Sequence, residues 1–200
     1  SPVIYDPEVD CPRWEKFLME VFDNNTALVN FIQRCVGYSL TGLTREQCLF
    51  MLYGSGANGK SSFLETLKSL MGEYAATADF STFLAKGQDG IRNDLAGLAG
   101  KRFVVSIEVE EGRRLAETLV KQVTGSDTIA ARFLHREFFE FRPAFKLWMA
   151  ANHMPVIKGR DHALWRRIRL IPFNIVFSDD RQDKELGDKF KAKVRKVLGK

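Results

Sequence analysis

The chain has 200 residues, 45% of them hydrophobic, and a formal net charge of +5, which is ample for one folded domain with a sizeable core. No stretch approaches the roughly 18 unbroken apolar residues of a membrane helix, so we expect an intracellular protein. The cysteines, Cys11, Cys35 and Cys48, lie far apart and lack the paired spacings of a zinc site or a disulfide framework, so we expect reduced thiols.

Two helices are predicted at the start of the chain. Apolar residues recur at helical spacing over residues 14–22 and again over residues 28–36, with a polar Asp-Asn-Asn interruption between them. The whole stretch from Trp14 to Leu40 is helical in pattern. Residues 1–46 are therefore predicted to form a small N-terminal helical unit.

A buried strand, a glycine-rich loop and a helix are predicted next. The apolar run CLFMLYG ends at Gly54 and fits a strand of a parallel sheet. Beyond the loop, apolar residues from Phe63 to Met71 predict an amphipathic helix that Gly72 ends. Between these elements the residues match the pattern GxxxxGK[ST] of a phosphate-binding loop, in the context of strand and helix that this pattern requires.

Each residue type in this loop suits the binding of a nucleoside triphosphate. Glycines let backbone N–H groups converge on the phosphates, Lys60 reaches the β- and γ-phosphates, and the Ser61 hydroxyl ligates Mg²⁺. The alternative is a flexible Gly/Ser turn without a ligand. The predicted nucleotide contacts are Gly54, Ser55, Gly56, Ala57, Asn58, Gly59, Lys60, Ser61 and Ser62.

Acidic residues follow the strand predicted over residues 103–107. Glu108, Glu110 and Glu111 come where a parallel sheet places carboxylates beside bound phosphates. We expect one, with Glu108 best placed, to hold Mg²⁺ through water, and another, with Glu110 second, to polarise the attacking water. The alternative is an ordinary acidic loop before the helix predicted over residues 113–123.

A further strand, in the run FKLWMAANHMP, ends at Asn152. An amide at this position can contact the γ-phosphate or orient water without adding negative charge, and the alternative is a turn-forming asparagine. Downstream, Arg166, Arg167 and Arg169 cluster beside Trp165. These arginines can stabilise a transferring phosphate within the chain or in an adjacent subunit, whereas the alternative is a basic surface or cation–π packing.

A β-hairpin is predicted between the carboxylates and Asn152. Residues 128–133 and 138–142 alternate as strands do, and a tip containing His135 and Arg136 joins them. The tip lies in the basic part of the chain, because residues 113–200 carry 20 basic and 10 acidic side chains against 10 and 15 in residues 1–112. A basic hairpin suits contact with nucleic acid, and the alternative is a solvent-exposed turn without a role.

The stretches GSGANGKSS, FVVSIEVEEG, KLWMAANHMP and WRRIRLIPF, in this order and at these separations, resemble the helicase domain of the phage and plasmid primases, which are superfamily III helicases. The resemblance covers nearly the whole chain. It implies an α/β fold with an AAA+-like P-loop NTPase core, a mainly parallel sheet flanked by helices, a β-hairpin insertion and the N-terminal helical unit. The core is then residues 47–177, and residues 178–200 form a basic C-terminal helix or tail.

The same resemblance implies a DNA helicase that hydrolyses ATP with Mg²⁺ between the subunits of a ring, usually a hexamer, and translocates 3′ to 5′ on single-stranded DNA. Because the carboxylates come as EVEE rather than as an adjacent pair, the task of each glutamate stays open. Matched by position, Lys60 and Ser61 correspond to the Walker A pair, and Glu108 and Glu110 to the Walker B region. Asn152 corresponds to the sensor, and Arg167 or Arg166 to the arginine finger. His135 and Arg136 correspond to the DNA-contacting hairpin tip, and Asn58 is typical of the family.

Two alternatives remain at this point. A P-loop kinase or GTPase would use the same lysine, although the Asn-Lys-x-Asp pattern of guanine recognition is absent. A DNA-binding module could use ATP only for assembly. For the helicase, the resemblance implies the cytoplasm of a bacterial host, a phage or plasmid origin, no membrane association, and primase activity elsewhere in the full-length protein or on a partner.

Overall fold

The computed structural model describes residues 10–85, 93–107, 114–153 and 162–190. Helices and strands alternate along most of this length. The α-helices are α1 Pro12–Val21, α2 Thr26–Leu40, α3 Lys60–Met71, α4 Asn93–Ala96, α5 Glu117–Thr124 and α6 His162–Trp165, and short 3₁₀ turns cover Gly72–Tyr74, Phe80–Phe83 and Asp179–Arg181. The strands are β1 Leu49–Tyr53, β2 Ala75–Thr77, β3 Phe103–Ile107, β4 Ile129–Ala131, β5 Phe139–Phe141, β6 Lys146–Ala151 and β7 Ile168–Pro172.

Five strands form one parallel sheet in the order β2-β3-β6-β1-β7. Strand β1 lies between β6 and β7, so that Tyr53, the last residue of β1, is level with Ala151 on one side and Pro172 on the other. Because all five strands run in the same direction, β1, β3 and β6 end at the same edge of the sheet. That edge is where α/β proteins bind their ligands.

Helices cover both faces of the sheet, as successive strand residues show by alternating between two hydrophobic clusters. On one face, Phe50 and Trp148 pack with residues of α1, α2 and α3. On the other face, Met51 and Met149 pack with residues of α5, α6 and β4. Burial on both faces explains why β1 and β6 read as continuous apolar runs. The predicted α/β architecture, a mainly parallel sheet flanked by helices, is confirmed.

The N-terminal helices share their core with the sheet. The Trp148 indole donates a hydrogen bond of 3.0 Å to the Ser39 hydroxyl, which itself donates to the Cys35 carbonyl at 2.8 Å. The Lys146 ammonium, 1% exposed, donates to the Thr41 carbonyl at 2.5 Å. A boundary at residue 46 therefore does not separate two cores, and the division of the chain into domains stays a prediction.

Burial shifts the pKa of several groups in this shared core. Desolvation lowers the pKa of Lys146 to about 8. Desolvation also raises the pKa of the Cys35 thiol to about 12 and that of the Cys48 thiol in the same direction. Cys11, Cys35 and Cys48 are all free thiols, and the last two are buried. Their protonated form is inert at neutral pH.

Helix α2 continues through Gly37 to Leu40, as far as the predicted helical pattern, because Cys35 and Ser39 are anchored in the core. Two predicted elements differ in extent from the observed ones. Helix α5 begins at Glu117 rather than at residue 113, since Leu115 pairs with Leu84 in an isolated bridge before the helix starts. The hairpin strands β4 and β5 are three residues long each, shorter than predicted. Within the described ranges, no helix has the length and hydropathy needed to span a membrane.

Candidate functional site

The loop between β1 and α3 folds tightly against its surroundings. A Cβ at Gly54 would lie 2.2 Å from both the Asn58 side-chain nitrogen and the Phe173 carbonyl oxygen. Gly59, the N-cap of α3, has φ +86°, and a Cβ there would lie 2.9 Å from a Val21 methyl group of α1. Glycine is thus required at both positions, one for space and one for backbone conformation as well.

Lys60 is the first residue of α3, and its ammonium group is the centre of the site. It donates to the Gly54 carbonyl at 2.5 Å, the Asn58 side-chain oxygen at 3.1 Å and the Asn152 side-chain oxygen at 3.0 Å. The residue is 6% exposed. Desolvation by burial lowers the pKa of Lys60. A cation held in such a dry site acts on nearby anions more strongly than one in water.

Asn58 connects this lysine to the end of β7. Its side chain is 2% exposed. Its nitrogen donates to the Phe173 carbonyl at 2.9 Å while its oxygen accepts from Lys60. Both hydrogen-bonding groups of the amide are therefore used, which fixes the loop on one side and orients the ammonium on the other.

Asn152 reaches the same ammonium from the neighbouring strand. It directly follows β6, whose last residue, Ala151, is level with Tyr53 at the end of β1. This alignment brings two predicted site residues, Lys60 and Asn152, into hydrogen-bonding contact although 92 positions separate them. Glu108 and Glu110, with Glu111, lie outside the described residues; β3, which ends at Ile107, is paired with β6.

A cavity of about 430 Å³ opens above the loop. Its floor consists of residues 56–62 and Asn152, with the Ser61 side chain exposed. Its walls come from α1 and from a C-terminal segment, which we define as residues 177–186. The wall residues are Arg13, Phe17, Glu20, Phe177, Arg181, Gln182, Asp183, Lys184 and Leu186.

The two walls are connected to each other and to the loop. Arg13 lies 3.3 Å from the Glu20 carboxylate on α1 and 3.9 Å from the Asp183 carboxylate of the C-terminal segment. The Phe177 N–H donates to the Ala57 carbonyl at 2.9 Å. These wall residues are not among the predicted site residues, and residues 178–200 are predicted only as a basic C-terminal helix or tail. No local pattern indicates them, because only the fold brings them to the loop.

The predicted finger arginines lie at the other edge of the sheet, before β7 starts. Arg167 is 8% exposed, and its guanidinium donates to the Thr124 hydroxyl at 3.2 Å, the Ala163 carbonyl at 2.6 Å and the Gln47 side-chain oxygen at 3.1 Å. Arg166 is exposed and shares the Gln47 oxygen at 2.9 Å. The structure does not bring either arginine to the loop of its own chain, and Arg167 is held inside the protein.

The hairpin tip is a separate feature. Strands β4 and β5 pair antiparallel, and the tip between them includes His135 and Arg136, both exposed. His135 has φ +59°, and the Arg136 N–H donates to the Phe133 carbonyl at 3.0 Å, which closes a tight turn. Neither residue lines the cavity above the loop.

Comparisons with known proteins agree on one group of relatives. Residues 52–167 match a family described as a family of unknown function, DUF5906. A protein of Acanthamoeba polyphaga mimivirus named as a candidate helicase, L207/L206, is 34% identical over 145 residues, which is 72% of this chain and 15% of that protein. Primase D5 of fowlpox virus is 24% identical over 168 residues, or 82% of this chain and 20% of that protein. The chain thus spans less than a quarter of the length of these relatives.

Among solved structures, the apo C-terminal region of NrS-1 superposes with a TM-score of 0.67 at 16% identity, covering 96% of this chain and 45% of the other. At that identity the likeness carries the fold alone. The reported relatives are viral and name no bacterial host, so the bacterial cytoplasm stays an expectation.

Proposed function

The chain belongs to the DUF5906 family, and from that premise we propose that it is the ATP-driven helicase domain of a replication protein, built on an AAA+-like phosphate-loop core. The observation that carries the proposal is the position of Lys60, buried between the loop and Asn152 at the carboxyl edge of a parallel sheet. The names of viral relatives, a candidate helicase and a primase, favour the same class of protein.

The residues present fit ATP and Mg²⁺. The cavity of about 430 Å³ falls in the range of roughly 300–1,000 Å³ that small-molecule sites occupy. At its floor, Lys60 would hold the β- and γ-phosphates, and the free N–H groups of the first turn of α3 would donate to the phosphate oxygens. The exposed Ser61 hydroxyl would ligate Mg²⁺, which neutralises phosphate charge when bound.

The remaining chemistry is assigned to residues around this floor. Asn152 would orient water or contact the γ-phosphate, since its amide adds no negative charge. Glu108 and Glu110 are proposed as the metal-binding and water-polarising carboxylates, because β3 leads into them beside β6. Carboxylates at these positions would activate water next to the phosphate that Lys60 would hold.

We extend the proposal to a ring, with six subunits the expected number, that moves on single-stranded DNA. Arg166 suits the finger better than Arg167, because Arg166 is exposed and distant from its own loop, whereas the Arg167 guanidinium is bound within the chain. His135 and Arg136 on the hairpin would contact the DNA backbone. Primase activity and any origin recognition would belong to other parts of the full-length protein or to partners.

Hydrolysis by a Lys60→Ala variant tests the core of the proposal. We expect the unchanged protein to hydrolyse ATP faster in the presence of single-stranded DNA, and the variant to lose at least about 100- to 1,000-fold in rate, as for loss of one charge-stabilising donor. Lys68→Ala is the matched control, since this lysine lies on the same helix, does not line the cavity and pairs with Glu65 at the surface, at 3.1 Å. Thermal unfolding checks that both variants fold.

Three results would contradict the proposal. Equal rates in the Lys60→Ala and Lys68→Ala proteins would remove the phosphate-loop assignment. ATP binding without steady hydrolysis in the unchanged protein would favour the alternative of a DNA-binding module that uses ATP for assembly. If the protein is a monomer and single-stranded DNA does not stimulate its ATP hydrolysis, the alternative of a kinase is favoured.

A further inference from the structure

The tip of the hairpin, residues 132–138, holds an unusual set of apolar side chains in water. Leu134 is 65% exposed, Phe138 61% and Phe133 48%. The first two are the most exposed large hydrophobic residues in the part of the chain that the structure describes. Single exposed apolar residues are ordinary, but a cluster on one protruding turn indicates a binding surface.

The aromatic rings at the tip are held in fixed positions. The Arg132 guanidinium lies 4.7 Å from the centre of the Phe138 ring, so that one face of this ring is covered and the other is open. The Phe133 ring lies 5.8 Å from that of Phe139, with 23° between their planes, and Phe139 packs on the core. The tip therefore presents ordered ring faces rather than loose side chains.

The charges around these rings narrow the class of partner. Cationic Arg132 and Arg136 flank the rings, with the neighbouring His135 exposed, while Glu137 is the acidic residue within the tip. Rings with open faces next to arginines are the combination that binds single-stranded nucleic acid, in which bases stack on the rings and phosphates meet the cations. A duplex hides the faces of its bases.

We propose that Phe138 and Phe133 stack on the bases of single-stranded DNA while Arg136 contacts the phosphates. This inference rests on the proposed function and adds a second component to the grip, one that reads no sequence because every base has a flat face. The two components differ in their physical signatures. Stacking requires the base and depends little on salt, whereas phosphate contact needs no base and weakens as salt rises.

Binding to two oligonucleotides of equal length separates these components. One is oligo-thymidine and the other carries abasic sites in place of the bases, and affinity is measured by fluorescence anisotropy without ATP over a series of salt concentrations. We expect Phe138→Ala to weaken binding of oligo-thymidine by about 5- to 150-fold and to leave binding of the abasic strand unchanged. Arg136→Ala should weaken both and lower the salt slope by up to about 0.7.

Further variants distinguish stacking from a general apolar contact. Phe138→Trp keeps a ring and should keep the affinity, whereas Phe138→Leu keeps apolar bulk and should lose it. Leu43→Ala is the matched control, because Leu43 is 49% exposed and lies on the loop after α2, outside the hairpin tip of residues 132–138. It should bind both strands as the unchanged protein does.

Four outcomes would overturn the inference. Equal loss on both strands in Phe138→Ala would mean that the ring does not contact bases. If Phe138→Ala changes the mass of the oligomer and leaves the affinity for oligo-thymidine unchanged, the tip is a contact between copies of the chain. If the unchanged protein binds neither strand, the proposed translocation on DNA is refuted as well. If it binds both strands equally and DNA still stimulates ATP hydrolysis, only the stacking is refuted.

Discussion

Replacing Asn58 by alanine should destabilise the protein more than its small size suggests. Asn58 is 2% exposed, and its nitrogen is the donor to the Phe173 carbonyl at 2.9 Å, on a residue that is itself 0% exposed. A buried acceptor left without a partner costs about 1–3 kcal/mol. At about 2 kcal/mol, the midpoint of thermal unfolding of a chain this size should fall by roughly 4–8 °C.

The same substitution should also weaken ATP binding. Lys60 would lose one of its three oxygen acceptors, and the loop would lose its link to the end of β7. We expect a decrease in affinity of about 10-fold, the equivalent of one hydrogen bond's net contribution. Asn58→Asp should bind ATP more weakly still, since it keeps the shape but places a negative charge beside Lys60 and the incoming phosphates.

Thermal unfolding without nucleotide and calorimetric titration with ATP check both expectations. Asn30→Ala is the control, an exposed asparagine within α2 where alanine is the better helix former. The reasoning is refuted if Asn58→Ala unfolds at the same temperature as the control. If Asn58→Asp binds ATP as tightly as Asn58→Ala, the phosphates do not lie near residue 58.

Two further predictions concern buried cations. Desolvation lowers the pKa of Lys146 from the ordinary lysine value of 10.5 to about 8 in the folded state. Between these pH values the unfolded chain binds more protons than the folded one, so the stability of the unchanged protein should rise with pH, relative to that of Lys146→Met, by up to about 3 kcal/mol. Urea unfolding of both proteins at pH 7.5 and pH 10 measures this change, and a difference independent of pH would contradict the prediction. Arg167→Ala should lower the free energy of unfolding by about 3 kcal/mol, because the partners of this guanidinium are buried. Arg166→Ala should fold normally and lose ATP hydrolysis, and part of the hydrolysis should return when this protein is mixed with Lys60→Ala. If hydrolysis returns instead when Arg167→Ala is mixed with Lys60→Ala, the roles of the two arginines are reversed.

The sequence predicts best what is encoded locally. The order of strand, glycine loop and helix was readable because the apolar run of β1, the turn residues and the amphipathic period of α3 are contiguous signals. The strand ending at Asn152 was predicted in the same way. In α2, the apolar spacing predicts a helix as far as Leu40 although Gly37 lowers helix propensity, and the structure anchors Ser39 in the core at that end.

The rest of the site depends on long-range contacts that no pattern contains. Asn58 donates a hydrogen bond to the carbonyl of Phe173, which lies 115 positions later in the chain. Arg13 and Asp183, on opposite walls of the cavity, form an ion pair. Arg166 and Arg167 are adjacent and of the same residue type, yet the structure exposes Arg166 and buries Arg167. Which arginine is available is a result of packing around α6 and Thr124, and sequence spacing does not carry that information.

The central position of β1 also has a consequence for biosynthesis. This strand ends at Tyr53, but its neighbours in the sheet begin only at Lys146 and Ile168. At about 5–20 residues per second, the ribosome needs on the order of 5–20 s to deliver the first of them. During that interval the apolar strand β1 lacks both of its native neighbours, and a strand with two unpaired edges is prone to aggregation. The nucleotide site is therefore expected to mature late, and nascent chains should depend on a chaperone until β6 and β7 have emerged.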